Sequence, residues 1–349
     1  MIKIGNKTIG NEPYVIAEFG VNHNGSLERA FEGIKKAAIA GADAIKFQTY
    51  TADELVVKGT PKFWDWEGDK QHESQYDAYK AIGGAPYEWY PQIMKCCEEN
   101  NIEFLSTPFS IEAADYLNKI GMKAFKIASS DMSTIPFLEH VARFGKPIIL
   151  STGASTLEEI EQAVIAIEKQ GNDKIILLHC TLSYPTKPED ANLNLIQTLK
   201  VFGYPVGLSD HTLSFRTSIP AVAIGAKVLE KHYTTDKTLP DSADHWLSVN
   251  PEELADYVGN AHATYKMMGS RVKQVFACEE GTRKYDKRSI VTKVAIPKGT
   301  VITREMLTFK RPGTGIWPDE INNVIGMVPV EDIKEDTTLT WEKLTKTTE

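Results

Sequence analysis

Eight short runs of apolar, largely β-branched residues recur along the chain, and stretches with helical periodicity separate them. The runs are YVIAEFG (14–20), AIKFQT (44–49), EFLSTPF (103–109), AFKIASS (124–130), PIILSTG (147–153), KIILLHC (174–180), PVGLSDH (205–211) and VLEKHY (228–233). Helix-like stretches fill the intervals, as at 27–40, 112–120 and 157–170. Several end in a glycine just before the next run (Gly41, Gly121, Gly145, Gly171, Gly203 and Gly225), the residue that stops a helix in a left-handed conformation. Runs that are apolar rather than cleanly alternating belong to a parallel sheet covered by helices. Eight of them close a TIM barrel, so the expected class is α/β, a TIM (β/α)8 barrel. A doubly wound open sheet is the alternative.

The spacing is even except after the second run. There residues 50–88 form a long insertion rich in aromatics (Tyr50, Phe63, Trp64, Trp66, Tyr76, Tyr79 and Tyr87), read as a loop covering the barrel mouth or contacting another subunit. After the eighth run a helix over 251–267 closes the barrel. The texture then changes: a polar, irregular linker, followed from Lys287 by short β-like pieces broken by Gly and Pro. The expected division is a barrel over 1–268, a linker over 269–286 and a small β domain over 287–349. The net charge of −8 and the lack of any basic run argue against a nucleic-acid partner. No apolar run approaches the roughly 20 residues of a membrane span, and MIKIGNKTIG carries no secretory pattern. The four cysteines show neither CxxC spacing nor a disulfide framework, so a reducing cytoplasm is expected.

Polar residues at the C-terminal ends of barrel strands mark the place where such barrels do chemistry. Here they are Glu18; Lys46 and Gln48, which share a face; Thr107; Lys126, Ser129 and Asp131; Ser151; His179; Ser209 and His211; and Glu230 and His232. Two strand lysines, Lys46 and Lys126, beside hydroxyls and amides suggest a polyanion site, with Ser129 and Ser151 completing a phosphate cradle. His211 and His232 end adjacent strands, so their rings can approach one another. With an oxygen ligand such as Glu18 they suit a divalent Mn²⁺, Fe²⁺ or Zn²⁺ with open positions.

The motifs EFGVNHNGS (18–26), IKFQTY (45–50), LSTPF (105–109), FKIASSD (125–131), PIILSTG (147–153), LLHCTLSYPT (177–186), GLSDHT (207–212) and LEKHYT (229–234) resemble the sialic acid synthase family in order and over nearly the whole chain. VAIPKGTVIT and FKRPGTG resemble that family's antifreeze-like (SAF, β-clip) domain. The resemblance implies a nonulosonic acid synthase, a transferase that condenses phosphoenolpyruvate with an open-chain N-acetylated amino sugar and water and releases phosphate by C–O cleavage. The sugar would be N-acetylmannosamine or a 2,4-diacetamido-2,4,6-trideoxyhexose. Phosphoenolpyruvate would lie against Lys46, Gln48, Thr107, Lys126, Ser129, Ser151 and Ser209. His211 and His232 would hold Mn²⁺ (or Mg²⁺ or Co²⁺), Glu18 and Asp131 would position water and move protons, and Tyr184 and Asp244 would touch the sugar. The resemblance also implies a domain-swapped homodimer that supplies Arg311 to the partner's active site.

The chain departs from some relatives at Asp131, where they carry Glu, and at Leu182, where a bacterial sialic acid synthase carries Asn. In the insertion APYEWYPQI resembles the pseudaminate branch and ESQYDAY the sialate and legionaminate branches, and TLPDSADHWLSV (238–249) is individual. Two other functions compete: a Schiff-base pyruvate aldolase using Lys126 as nucleophile, and a non-catalytic carbohydrate-binding protein.

Overall fold

The computed structural model of the protein describes residues 1–64, 72–239 and 244–347, which fall into two compact units, Met1–Gly269 and Ser270–Glu349. Trp66 and the stretch 240–243 of the individual segment lie outside the described residues.

In the first unit eight parallel strands follow the expected runs: β1 (Tyr14–Gly20), β2 (Ala44–Thr49), β3 (Glu103–Pro108), β4 (Phe125–Ile127), β5 (Ile148–Ser151), β6 (Ile175–Cys180), β7 (Val206–Asp210) and β8 (Val228–His232). Strand β8 pairs with both β7 and β1, which turns the sheet back on itself and excludes the doubly wound alternative. The cylinder has one seam, where β3 and β4 are neighbours without a hydrogen-bond ladder. It is a TIM barrel.

One rule of parity positions everything that follows. Side chains alternate along a strand, so one set points into the barrel and the other toward the helices. The outward set (Val15, Ile45, Phe104, Phe125, Leu150 and Leu177 among others) packs against the helical shell. The inward set begins apolar: Ile16, Ala44, Leu105, Ala124, Ile149, Leu178 and Val228 cluster with Ile2, Ile4 and Ile9, so the N-terminal residues pack against the barrel interior. Each fully buried Ile or Leu contributes roughly 2 kcal/mol by leaving water. Two residues further along the same strands the inward side chains become Glu18, Lys46, Thr107, Lys126, Ser151, Cys180 and Glu230. On β7 the corresponding step runs from Gly207 to Ser209. A Cβ at position 207 would lie 2.1 Å from the Val228 carbonyl oxygen, so only glycine admits so close an approach of β8.

The helices begin where side chains can cap them. Ser26 accepts the Arg29 N–H at the start of α1 (Leu27–Ile39), and Gly41, with φ of 86°, turns the chain after it. Capping boxes, Thr156 with Glu159 and Asn250 with Glu253, open the helices Leu157–Glu168 and Pro251–Met268.

The insertion after β2 is not a loop throughout: it carries α2 (Ala52–Leu55) and α3 (Gln75–Ile82). Thr51 and Glu54 form a capping box for the first, and Ser74 accepts the Asp77 N–H at the head of the second. Both helices are too short for an apolar period to stand out in sequence.

The second unit holds two antiparallel strand pairs, Ser289–Thr292 with Leu307–Lys310 and Val328–Pro329 with Leu344–Thr345. Its own core gathers Ile290, Ile302, Leu307, Ile316, Leu339 and Leu344. The linker expected over 269–286 contains a helix, Glu280–Tyr285. That helix is held to the β pieces by the Arg283 guanidinium, 4.8 Å from the centre of the Trp317 ring, and by the Gly313 N–H donating to the Lys284 carbonyl. Its six residues, EGTRKY, carry no aliphatic side chain and left no periodic signal in the sequence.

Candidate active site

The inward polar layer opens into a cavity of about 490 Å³ at the C-terminal end of the barrel. Its floor is a charge cluster. Lys46 Nζ lies 2.5 Å from Glu18 Oε2 and 2.9 Å from the Thr107 hydroxyl, and 3.9 Å from Glu230. Lys126 approaches Glu230 from the other side at 3.7 Å and donates to the Ile127 carbonyl. Gln48 donates to Glu18 Oε1 and Ser209 to Glu230 Oε1. Burial opposes charge on each of these groups, but the neighbours decide the outcome. For Lys46, Glu18 and Glu230 outweigh burial and hold the ammonium above its ordinary range. Burial pulls Lys126 down, and Lys46 adds to that pull against Glu230. Glu230 overcomes its own burial because both lysines stabilise its charge, which carries it down to about 2.

Around this floor several hydroxyls keep hydrogen-bonding capacity. Ser151 Oγ is buried without a partner among the described residues. Ser129 Oγ accepts the Gly153 N–H at 2.9 Å, which leaves its own proton to donate. A Cβ at position 153 would lie 2.9 Å from that oxygen and 3.1 Å from Cys180 Sγ. Glycine there keeps open the space beside Ser129, Cys180 and Leu182, in the cavity that Ser151 and Lys126 also line.

The histidines occupy the rim. The ring centroids of His211 and His232 are 5.3 Å apart, and the Tyr184 ring packs on His211 at 4.2 Å. His211 Nδ1 lies 2.9 Å from the Thr181 carbonyl, which only accepts, so Nδ1 carries the proton and Nε2 the lone pair. His232 Nδ1 lies 3.4 Å from Asp244 Oδ2, an arrangement that likewise favours the lone pair on Nε2. Each imidazole thus has the outer-shell oxygen partner that orients a ligating histidine. Among the described residues no three His, Cys, Asp or Glu side chains form a ready-made ligand set. Glu18, expected as a possible oxygen ligand, instead turns both oxygens to Lys46 and Gln48. Among the described residues two lysines stand against four carboxylates in the cavity lining (Glu18, Asp131, Glu230 and Asp244), and a divalent cation at the histidines would offset that acidic surplus. The donor set fits a divalent ion that His211 and His232 would hold through Nε2.

Half-buried Asp131 lines the same cavity. Burial raises its carboxyl to about 6, against the Ser130 hydroxyl and Lys126, which favour the charged form. A carboxylate base with that value is lost as pH falls through about 6. The acid limb of kcat/KM is therefore expected near pH 6, and in Asp131→Asn that limb disappears together with most of the activity. An unchanged acid limb in the variant would assign it to another group.

The cavity brings together Glu18, Lys46, Gln48, Thr107, Lys126, Ser129, Asp131, Ser151, Tyr184, Ser209, His211, His232 and Asp244. Arg311 belongs to the second unit, where it pairs with Asp286 at 2.6 Å. His179 points away from the cavity and bonds the Ala191 carbonyl. Sequence reasoning gave Glu230 no role, although it lies between the two lysines. It also read Cys180 only as a free thiol, although its Sγ lies 3.8 Å from His211 Nδ1 and lines the cavity with Leu182. Parity along β6 and β8 was the signal available for both.

Paired lysines, the Ser151 hydroxyl and an oriented histidine pair line a cavity at the end of the barrel where TIM-barrel enzymes carry their active sites. The NeuB family model matches residues 33–273 and the SAF domain model residues 287–345. The chain is 39% identical to the N,N'-diacetyllegionaminic acid synthase of Legionella pneumophila, covering 95% of this chain and 94% of that one. It is 35% identical to the human N-acetylneuraminate-9-phosphate synthase, covering 95% and 93%. Among solved structures, an N-acetylneuraminic acid synthetase from Leptospira borgpetersenii superposes with a TM-score of 0.71 at 36% identity, over 80% of this chain and 94% of that one. The chain belongs to the NeuB (sialic acid synthase) family and carries its SAF domain. Among the described residues no helix is long and apolar enough to cross a membrane.

Proposed function

We propose that the protein condenses phosphoenolpyruvate with an open-chain N-acetylated amino sugar to give a nine-carbon sialic-type acid and phosphate. The observation that carries this reading is the Lys46–Lys126 floor and the unpartnered Ser151 hydroxyl in one cavity with the His211–His232 pair. Phosphate and carboxylate of phosphoenolpyruvate take up the lysines and the Ser129, Ser151 and Ser209 hydroxyls, with Gln48 and Thr107 fixing orientation. A divalent ion, Mn²⁺ by choice, when held by His211 and His232 supplies Lewis acidity to the aldehyde oxygen.

Carbon 3 of phosphoenolpyruvate then bonds to the aldehyde carbon, whose oxygen takes a proton. Water adds at carbon 2 and gives up a proton to a carboxylate, for which Asp131 and Glu18 are placed. Collapse of the tetrahedral adduct breaks the C–O bond and expels phosphate. Tyr184 and Asp244 hold the sugar beside the histidines. Three carbons from phosphoenolpyruvate and six from the sugar make the nine of the acids named in the relatives.

Arg311 completes the sugar site in a domain-swapped homodimer, across the subunit boundary. Its pairing with Asp286 is 63% and 51% exposed, and such exposed pairs are easily exchanged for another partner. The test is phosphate release from phosphoenolpyruvate with Mn²⁺ and a panel containing N-acetylmannosamine and the 2,4-diacetamido-2,4,6-trideoxyhexose isomers. Release that depends on one sugar is expected, and Arg311→Ala should raise the KM for that sugar about tenfold or more while leaving that for phosphoenolpyruvate nearly unchanged. Silence across the panel contradicts the synthase reading; equal effects on both substrates contradict the shared site.

A second reading has one observation in its favour: burial pulls the Lys126 ammonium down, as an amine nucleophile requires. Borohydride with pyruvate would trap a Schiff base on Lys126 if that reading held. The expected result is no adduct.

A further inference from the structure

The floor and the roof of the cavity differ in chemistry. The floor carries both lysines that line the cavity, Lys46 and Lys126, and each already faces Glu18 or Glu230. The roof comes from the excursion after β2, and among its described residues it is apolar and aromatic (Leu55, Val56, Phe63, Trp64, Tyr79 and Ile82) apart from Gln75. Its rings interlock edge to face: Phe63 and Trp64 centroids lie 4.8 Å apart, and Trp64 and Tyr79 5.9 Å. Phe63 is nonetheless 76% exposed, an aromatic surface left bare at the cavity mouth. The other lysines of this excursion that make ring contacts, Lys58 and Lys80, lie over the Tyr76 ring at 5.4 and 5.8 Å and do not line the cavity.

A six-carbon sugar whose aldehyde sits at the histidines, above phosphoenolpyruvate on the floor, has its far carbon left for the roof. Among the described lining residues that far end meets mostly apolar and aromatic surface, with Gln75 beside it and no lysine or arginine, Arg311 of the proposed dimer being assigned to the acetamido group. A terminal phosphate there would lose water without gaining a counter-charge. A methyl group would gain contact with the rings and Ile82.

We propose that this roof is the specificity element of the site and that it selects a sugar with a methyl group at its terminal carbon over one with a hydroxymethyl group, and rejects one with a phosphate. The inference rests on the synthase reading above and extends it to the substrate's distal end.

The test uses three sugars that differ only at carbon 6 (deoxy, hydroxyl and phosphate), built on whichever acetamido sugar supports phosphate release in the panel. The 6-deoxy form is expected to exceed the hydroxyl form in kcat/KM by about tenfold. The 6-phosphate is expected to fall on the order of 10³-fold below it. Ile82→Ala and Trp64→Ala should each bring the deoxy and hydroxyl forms to within about threefold of one another, with the KM for phosphoenolpyruvate and the melting temperature unchanged. A 6-phosphate that turns over as well as the deoxy sugar overturns the proposal, as does an undiminished methyl preference in both variants. Either result leaves the synthase reading standing, whereas only silence with every sugar removes it.

Discussion

Lys231→Met is expected to lower the melting temperature of the barrel by roughly 10 °C, although Lys231 never touches the cavity. Its ammonium is fully buried on the outward face of β8, 2.9 Å from Asp210 Oδ2 and bonded to the Thr212 carbonyl. Asp210 also receives the Thr212 N–H and the Thr217 hydroxyl. Removing the lysine leaves a buried carboxylate without a counter-charge, a loss of about 3–5 kcal/mol, which for a unit of this size amounts to several degrees per kcal/mol at the low end. The pair also flanks both histidines: Asp210 and Thr212 bracket His211, and Lys231 precedes His232. Mn²⁺ affinity, measured by calorimetry, is therefore expected to weaken in the same variant. A variant as stable as the parent would mean that packing of the β7 and β8 strands alone sets the spacing of the rings.

His211→Ala is expected to lower turnover on the order of 10³-fold or more while the barrel still melts cooperatively near the parent temperature. The imidazole lies at the rim, against Tyr184 and the Thr181 carbonyl, and the apolar layer that supports the fold lies deeper in the barrel. Calorimetry with Mn²⁺ separates a lost ligand from lost chemistry: weakened binding with intact folding is the expected pair of results. Full turnover in the variant would place the reaction away from the histidines.

The barrel was legible because both of its signals are repetitive. Eight apolar runs, separated by helices and most introduced by glycine or proline, leave little choice of topology. The inward face was legible too, since a strand lysine such as Lys46 two residues after Ala44 breaks an otherwise apolar pattern. Short elements left no such trace: the helices Gln75–Ile82 and Glu280–Tyr285 are set by caps and by contacts made only in the fold. Glu230 shows the other limit. On its own strand it is one polar residue among several. Its position between Lys46 and Lys126 depends on how the cylinder brings β8 across from β2 and β4. Cys180 and His211 meet across neighbouring strands for the same reason. Arg311 was found by motif resemblance alone, and among the described residues of its own unit it pairs with an exposed Asp286.

The most direct measurement is turnover with phosphoenolpyruvate carrying ¹⁸O in the bridge between carbon 2 and phosphorus, with Mn²⁺ and the accepted sugar. Sugar-dependent release of phosphate that retains the label, with an unlabelled nine-carbon acid, is the expected result, since water attacks carbon 2 and the C–O bond breaks. Label retained in the sugar acid, or phosphate released without any sugar, would contradict condensation on the Lys46–Lys126 floor.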